Sequence, residues 1–351
     1  MPICELAPTS FAQPYGSDAE DPCARVGIVA AGRAFVSTPD VGLSRGLSLP
    51  LARVTLGAVS AGDVQGRVAL LAVRSGGETG YIGVEGEAIV PVFEIAEARW
   101  DARSTGLMLA AGIVDDLWVG PAEAAWGRRD VAATLAGDRG WVDRSDIGGV
   151  AGWTSPDGLA SVSVAVTSGE GALRRERNTG VNVTAAGRLR LGGDGPVGVE
   201  LGAMGREGSR GVGQAADHRA GASVLIRHEW VVGGAEGLLG WGLDGDATLL
   251  PAGLSLWARA GDDLPLVAWG RLDRATDTRT VEGAGDTAIF IGGGPRLPLR
   301  GPAYAALAWE GRSVGVASAA IPGANALRAS DTFYLQIGVG AVAGVPLGEP
   351  E

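Results

Sequence analysis

The sequence predicts an all-β protein, a sixteen-stranded antiparallel transmembrane β-barrel with short periplasmic turns and long external loops. Three observations lead to this prediction. Apolar and polar residues alternate with period two through most of the 351 residues, and the connections between these segments are long and short in turn. The chain also lacks the run of about 20 predominantly apolar residues that a membrane-spanning helix needs.

The alternation is clear between residues 181 and 191. Val183 and Leu189 fall on one face of this segment, and Arg188 and Arg190 fall on the other. Successive side chains of a strand point to opposite faces, so the pattern predicts strands with one apolar and one polar face. The same pattern places the first strand at 25–38 and the last at 332–343. We therefore expect a tail at 1–24, the barrel at 25–344 and a second tail at 345–351.

The connections set the number of strands. Short turns are predicted at 61–63, 103–106, 155–158, 193–196, 232–236, 261–263 and 295–300. Long loops are predicted at 39–50, 75–88, 120–146, 169–179, 207–217, 245–252, 274–286 and 311–331. Fifteen connections join sixteen strands, and both termini then lie on the side of the short turns, as in bacterial outer-membrane barrels. The alternative is a soluble β-sandwich, in which half of the polar positions would also face water.

The composition excludes several classes of protein. The chain carries 29 basic residues, all of them arginine, and 40 acidic residues, for a net charge of -11, which would repel nucleic acid. Its two histidines and two cysteines, Cys4 and Cys23, lack the spacing of a metal site, so no metal and no cofactor is expected. The two cysteines form either one disulfide or two free thiols. The N-terminus lacks the features of a signal peptide.

Two matches to catalytic motifs are attributed to the high glycine content. Residues 42–46 fit G-x-S-x-G but precede a strand, whereas a nucleophile elbow leads into a helix. Residues 240–245 fit G-x-G-x-x-G, but no βαβ unit surrounds them. His218 follows Asp217 at a loop edge and such a pair could act as a general base, but the sequence identifies no nucleophile for it to activate. We therefore expect no enzymatic activity.

The polar face of the strands carries a mixed ladder of charges, with more arginines than carboxylates. In a barrel these side chains face an aqueous lumen and set the field along it. The loop at 120–146 is the longest and is rich in charge, so it is expected to fold inward and narrow the pore, with a short helix at 131–135. The predicted pore-lining residues are Arg33, Arg53, Arg99, Arg188, Arg190, Glu200, Arg206, Arg227, Glu229, Arg259 and Arg271. The predicted constriction-loop residues are Arg128, Arg129, Asp130, Arg139 and Arg144.

Four tryptophans lie on the apolar face: Trp100, Trp230, Trp241 and Trp309. Aromatic side chains at barrel rims anchor in the lipid headgroup layer, so these four are predicted to form an aromatic girdle. The alternative is that they are ordinary core residues. Trp257 and Trp269 lie on the polar face and are expected to face the lumen or a loop.

Several segments resemble the phosphate-selective porin O and P family, best over residues 50–192. They are the segments at 52–59 (ARVTLGAV), 92–102 (VFEIAEARWDA), 107–119 (LMLAAGIVDDLWV), 128–149 and 164–171. The resemblance implies a sixteen-stranded outer-membrane porin, often a homotrimer. Members selective for phosphate line their pores with lysine, and this chain has none. The resemblance therefore does not carry phosphate specificity to this sequence.

Together these points predict an outer-membrane channel for passive diffusion of small hydrophilic solutes. The excess of arginine on the polar face predicts a weak preference for anions. Its partners would be outer-membrane lipid and small anionic or neutral solutes. The alternative is a non-conducting structural or adhesive β protein, either a barrel plugged by the loop at 120–146 or a soluble sandwich.

Overall fold

The computed structural model describes residues 23–39, 43–59, 63–75, 88–102, 104–172, 179–192, 197–211, 214–243, 246, 248–261, 264–277, 285–298, 303–314 and 329–346. In these ranges sixteen antiparallel strands form one closed barrel, as predicted, and two further short strands form a ladder outside it. No helix in the described ranges is long and apolar enough to cross a membrane. Cys4 and the rest of the predicted N-terminal tail before residue 23 lie outside these ranges.

The barrel strands follow one another in chain order around the wall. Their bounds are β1 (Cys23–Pro39), β2 (Ser44–Val59), β3 (Val64–Ser75), β4 (Ala88–Ala102), β5 (Leu107–Asp115), β6 (Ser145–Thr154), β7 (Ala160–Thr167), β8 (Asn182–Leu191), β9 (Val197–Glu207), β12 (His218–His228), β13 (Val231–Trp241), β14 (Ala252–Ala260), β15 (Leu266–Thr276), β16 (Asp286–Pro295), β17 (Ala303–Ser313) and β18 (Ser330–Pro346). The short ladder pairs β10 (Ser209–Arg210) with β11 (Ala215–Ala216). Between β5 and β6 lie the two helices, α1 (Val119–Trp126) and α2 (Leu135–Asp138).

Pairing of the first and last strands closes the barrel. β1 and β18 run side by side from Cys23 opposite Pro346 to Pro39 opposite Ser330. Closure leaves no strand edge unpaired, which is the condition for a sheet to span hydrocarbon. β1 begins and β18 ends at the end of the barrel that carries the short turns. We call this the short-turn end. The opposite end is the long-loop end.

The two faces of the wall differ as the alternation predicts. Val183, Leu189 and Ile337 are exposed on the outside of the barrel. Trp269 is buried inside and Trp257 packs against the same interior cluster, so both face inward as expected. Trp100, Trp230 and Trp241 are exposed close to strand ends, and Trp309 is half-buried. These positions fit the predicted girdle, which stays a prediction.

Two predicted connections are wrong. Residues 44–50 belong to β2 and not to a long loop, and β2 carries a bulge where Ala31 and Arg33 of β1 pair with Leu51 and Ser48. Pro50 lies in that bulge, which is one of the few places where a sheet accepts proline. The turn predicted at 232–236 is instead at residues 229–230. Gly233 and Gly234 lie within β13, where a Cβ atom on Gly234 would come within 2.6 Å of the Trp257 ring.

Candidate functional site in the barrel interior

The connection between β5 and β6 folds into the lumen, and we call residues 116–144 the inward segment. Its ends are joined by a hydrogen bond of 2.9 Å from the Asp116 amide to the Arg144 carbonyl. The Asp116 carboxylate accepts hydrogen bonds from the amides of Trp118 and Val119 and so starts α1. The helix ends at Gly127, whose φ of 65° is left-handed. The segment is therefore a closed excursion from the barrel wall.

The helix predicted at 131–135 is not there. α1 occupies residues before that range, and α2 begins at Leu135. The intervening backbone is held by side chains, because Trp126 Nε1 donates to the Ala132 carbonyl and Arg271 donates to the Ala133 carbonyl. These side-chain hydrogen bonds stabilise the irregular backbone between the two helices.

Two apolar clusters fix the inward segment to the wall. Trp126 packs with Trp269, Phe290 and Tyr304 in the first cluster, on strands β15 to β17. Trp141 joins the second cluster with Leu238 on β13, and its ring nitrogen donates to Asp277 at 2.9 Å. Both tryptophans are almost fully buried. A porin-sized lumen is expected to hold water, but here much of it is filled by packed side chains.

The predicted charges of the inward segment are paired with carboxylates of the wall. Arg129 binds Glu94 on β4, and Arg139 binds Asp286 on β16 at 2.6 Å. Arg144 binds Asp115 at 2.5 Å and Glu123, within the segment itself, at 2.6 Å. Burial alone would lower the pKa of Arg144, but the two carboxylates raise it well above its ordinary value. These arginines act as fixed anchors of the segment.

Asp130 forms a second anchor against β17 and β18. Its carboxylate is completely buried and accepts hydrogen bonds from Gln336 at 2.8 Å and from the Tyr304 hydroxyl. Burial raises the pKa of Asp130, opposed mainly by Arg128. The guanidinium of Arg128 lies 4.8 Å from the Tyr304 ring centre, a cation–π contact.

Four of the predicted pore-lining arginines hold the inward segment from the wall. Arg33 donates to the carbonyls of Asp130 and Val131, each at 3.1 Å. Arg259 donates to the Ala125 carbonyl at 3.2 Å. Arg271 binds the Ala133 carbonyl, and Arg206 binds Asp116 and Thr184. We find these side chains facing inward but engaged with protein.

The other predicted pore-lining residues lie nearer the short-turn end or on its rim. Arg53 binds the buried Glu94 at 2.8 Å. Arg99 binds Asp101 at 2.7 Å and is 43 % exposed. Arg188 and Arg190 share Glu200, at 3.7 and 3.0 Å. Arg227 is exposed at the end of β12, and Glu229 lies in the turn after that strand and not on the wall.

A cavity of about 960 Å³ lies between the inward segment and the short-turn end. Its walls come from β1 to β8, and turn residues such as Gly106 and Pro156 place it at the rim. Six arginines and four carboxylates line it: Arg25, Arg53, Arg67, Arg99, Arg144, Arg188, Glu97, Asp101, Asp115 and Asp116. The cavity therefore has a net positive lining.

A much smaller hollow, of about 10 Å³, lies on the other side of residues 114–117. That volume is about the room needed by a single water molecule. The Asp116–Arg206 ion pair lies where the two spaces meet. On the long-loop side, Arg210 is buried and donates to the carbonyl of Gly169 and to Asp143. Among the described residues, these contacts narrow the lumen between the cavity and the long-loop end.

Sequence reasoning missed the groups that hold the inward segment in the lumen. Asp115, Asp116 and Glu123 receive the arginines, and Trp126 and Trp141 supply the apolar anchors. One available signal was the pair of adjacent aspartates at the end of β5, Asp115 within the strand and Asp116 just after it, because a charged pair has no role on a lipid-facing surface. His218 is also placed differently from the hypothesis considered for it. It binds Glu207 at 3.1 Å, whereas Asp217 binds Arg219 at 2.6 Å.

Cysteine substitution tests the assignment of faces. In a background with Cys4 and Cys23 replaced by serine, we expect Arg190→Cys to react rapidly with a water-soluble thiol reagent, since Arg190 is 65 % exposed toward the lumen. Val183→Cys on the same strand should react at least about tenfold more slowly in lipid, because its side chain is on the opposite face. The reverse order of reactivity would show that the register is inverted.

Comparisons with solved structures agree with this architecture. An anion-selective porin from Comamonas acidovorans is similar with a TM-score of 0.61 and 12 % identity, over 92 % of this chain and 100 % of that one. The outer membrane channel DcaP of Acinetobacter baumannii has a TM-score of 0.60 at 8 % identity, over 93 % and 99 % of the two chains. Salmonella typhi OmpF, in a complex with daunomycin, has a TM-score of 0.60 at 13 % identity, over 92 % and 98 %.

At these identities the similarity establishes the fold, which is that of the outer-membrane porins. No protein-family model matches the sequence. No curated protein matches it either.

Proposed function

We propose that this chain is a porin-like channel of the outer membrane, through which small hydrophilic solutes diffuse with a weak preference for anions. The observation that carries the proposal is the cavity of about 960 Å³ at the short-turn end, lined by six arginines and four carboxylates. A wide, charged, water-accessible chamber inside a closed barrel has no use in a purely structural wall. Outer-membrane lipid would surround the exposed apolar face, and a homotrimer is the expected assembly.

The anion preference follows from local charge and not from the net charge of -11. Most arginines in the interior are matched by carboxylates, so the surplus is small. One surplus lies at Arg188 and Arg190, which share the single carboxylate of Glu200. The absence of lysine argues against specificity for phosphate.

Planar-bilayer recording in a gradient of potassium chloride tests this proposal. We expect a reversal potential of the anion-selective sign. Changing both Arg188 and Arg190 to glutamate should move that potential to the cation-selective sign. Each substitution replaces a positive charge by a negative one, so the local charge falls by about four units. Arg45→Gln is the control, since Arg45 is exposed at the far end of β2. A cation-selective wild-type channel would contradict the charge argument.

A second candidate is a non-conducting barrel, and a specific observation favours it. The inward segment contacts the wall on several sides, including Glu94 on β4, Arg206 on β9, Arg219 on β12 and Asp286 on β16. Absence of any conductance from folded protein would support this reading over the channel.

A further inference from the structure

We propose that the cavity at the short-turn end binds small organic carboxylates that carry an apolar body, such as an aromatic ring. This inference rests on the proposed function, because it names the class of solute that the channel admits. The inference is argued from the positions of charged and uncharged residues around the cavity wall. These positions follow from the register of the strands.

The wall of the cavity contains a continuous uncharged area across β5, β6, β7 and β8. One row runs from β5 to β8 through the paired residues Met108, Gly152, Ser163 and Ala186. In the next row toward the inward segment, Ala110 pairs with Val150, and both line the cavity; Val150 also pairs with Ala165, which lines the small hollow instead. We call these two rows the uncharged panel. Val150 and Ala165 are buried together with Val114, so the panel has a packed apolar base.

The roof of the cavity over this panel is also partly apolar. Leu117, Pro121 and Ala124 of the inward segment line the same cavity. Leu117 and Met108 pack against the cluster of Val114, Val150 and Ala165. A flat apolar group in this part of the cavity would therefore meet hydrocarbon on two sides. Small solutes without an apolar group would make no favourable contact with these surfaces.

Arginine borders the panel on both sides. Arg188 on β8 pairs with Ser161, one step from the panel toward the short-turn end. Arg99 on β4 pairs with Ala110, at the opposite border. Strands are about 4.8 Å apart, so β5 and β8 are separated by about 14 Å along the wall. A carboxylate bound at one border thus leaves its apolar body over the panel.

The two borders differ in how much of their positive charge is available. Arg99 faces Asp101 in a close ion pair with three hydrogen bonds of 2.7 to 2.9 Å. Arg188 lies 3.7 Å from Glu200, which it shares with Arg190, and it donates one hydrogen bond to the Leu117 carbonyl at 2.8 Å. Two guanidinium groups around one carboxylate leave one positive charge in excess. The β8 border is therefore the anchor for the carboxylate of the solute.

The test is a binding measurement on the folded protein in detergent, with benzoate as the probe. Acetate has the same charge without the ring, and benzyl alcohol has the ring without the charge. Equilibrium dialysis should give binding of benzoate at least about tenfold tighter than either. Equal affinity for benzoate and acetate would overturn the role of the panel, and equal affinity for benzoate and benzyl alcohol would overturn the role of Arg188.

Two variants separate the parts of the site. Arg188→Gln should weaken benzoate binding about tenfold, and Val150→Asp should weaken it at least as much by placing a carboxylate in the panel. Val150→Asn is the control for polarity, and it should weaken binding less than the aspartate does. Arg45→Gln should leave binding unchanged, because Arg45 is exposed and lies outside the cavity.

The outcome is distinguishable from that of the proposed function. Anion-selective conductance without benzoate binding would support the proposed channel function and reject this inference. Benzoate binding without any conductance would reject the channel and identify the cavity as a binding chamber closed at one end. No detectable binding of benzoate by folded wild-type protein would reject the inference directly.

Discussion

Replacing residues 118–142 with a short Gly-Ser linker should raise single-channel conductance on the order of tenfold. The hydrogen bond between the Asp116 amide and the Arg144 carbonyl holds the ends of this segment together, so a short linker can join them without moving β5 or β6. In the wild type, the hollow beyond residues 114–117 has room for about one water molecule. Without the segment, the described residues that fill most of the lumen are gone.

A flexible Gly-Ser segment of the original length is the matched control, since it keeps the chain in the lumen but removes its anchors. Its conductance should be intermediate and noisy. A milder variant, Asp116→Asn with Arg206→Gln, removes the ion pair between the inward segment and β9 and should raise conductance by a smaller factor. Heat-modifiable migration in gels would verify that each barrel is folded. Unchanged conductance in a folded deletion variant would show that the path does not pass this segment.

The sequence was sufficient to predict the barrel, because the alternation recurs in sixteen strands and the loop rhythm in fifteen connections, so an error in one segment does not change the fold. It also placed Arg33, Arg206, Arg259 and Arg271 on the inner face. The ion-pair partners of these residues could not be predicted, because they depend on how the inward segment packs against strands distant in the chain. From the periodic pattern alone, an inward-facing arginine would be expected to contact solutes. In the structure Arg206 instead binds Asp116 and holds the inward segment.

A β-bulge explains one ambiguity that periodicity could not resolve. Glu94 and Glu97 are three residues apart on β4, so strict alternation places only one of them in the lumen. The register shifts between Ala69 and Leu70 of β3, which pair with Ile95 and Phe93 and leave Glu94 as the extra residue. Both glutamates consequently reach the interior, where Glu97 binds Arg67 and Glu94 binds Arg53. The bulge thus supplies a carboxylate to the inward segment.

Glu94 is the residue whose loss should destabilise the interior most. Its side chain is 1 % exposed and lies between Arg53 of the wall and Arg129 of the inward segment. We expect Glu94→Ala to lower the free energy of unfolding by about 3–5 kcal/mol, because it leaves buried guanidinium charge without its closest counter-ion. Urea unfolding of the barrel in lipid vesicles, followed by tryptophan fluorescence, would measure the change.

The control is Asp101→Ala, which breaks the ion pair with Arg99. Arg99 is 43 % exposed, so that substitution should cost less than about 1 kcal/mol. Equal costs for the two variants would show that Glu94 is not an anchor. The double variant Glu94→Ala with Arg129→Ala should recover part of the loss, because one uncompensated charge is removed with its partner. Recovery should be incomplete, because the double variant still lacks the counter-ion of Arg53 and also loses the contact of 3.5 Å between Arg129 and Glu123.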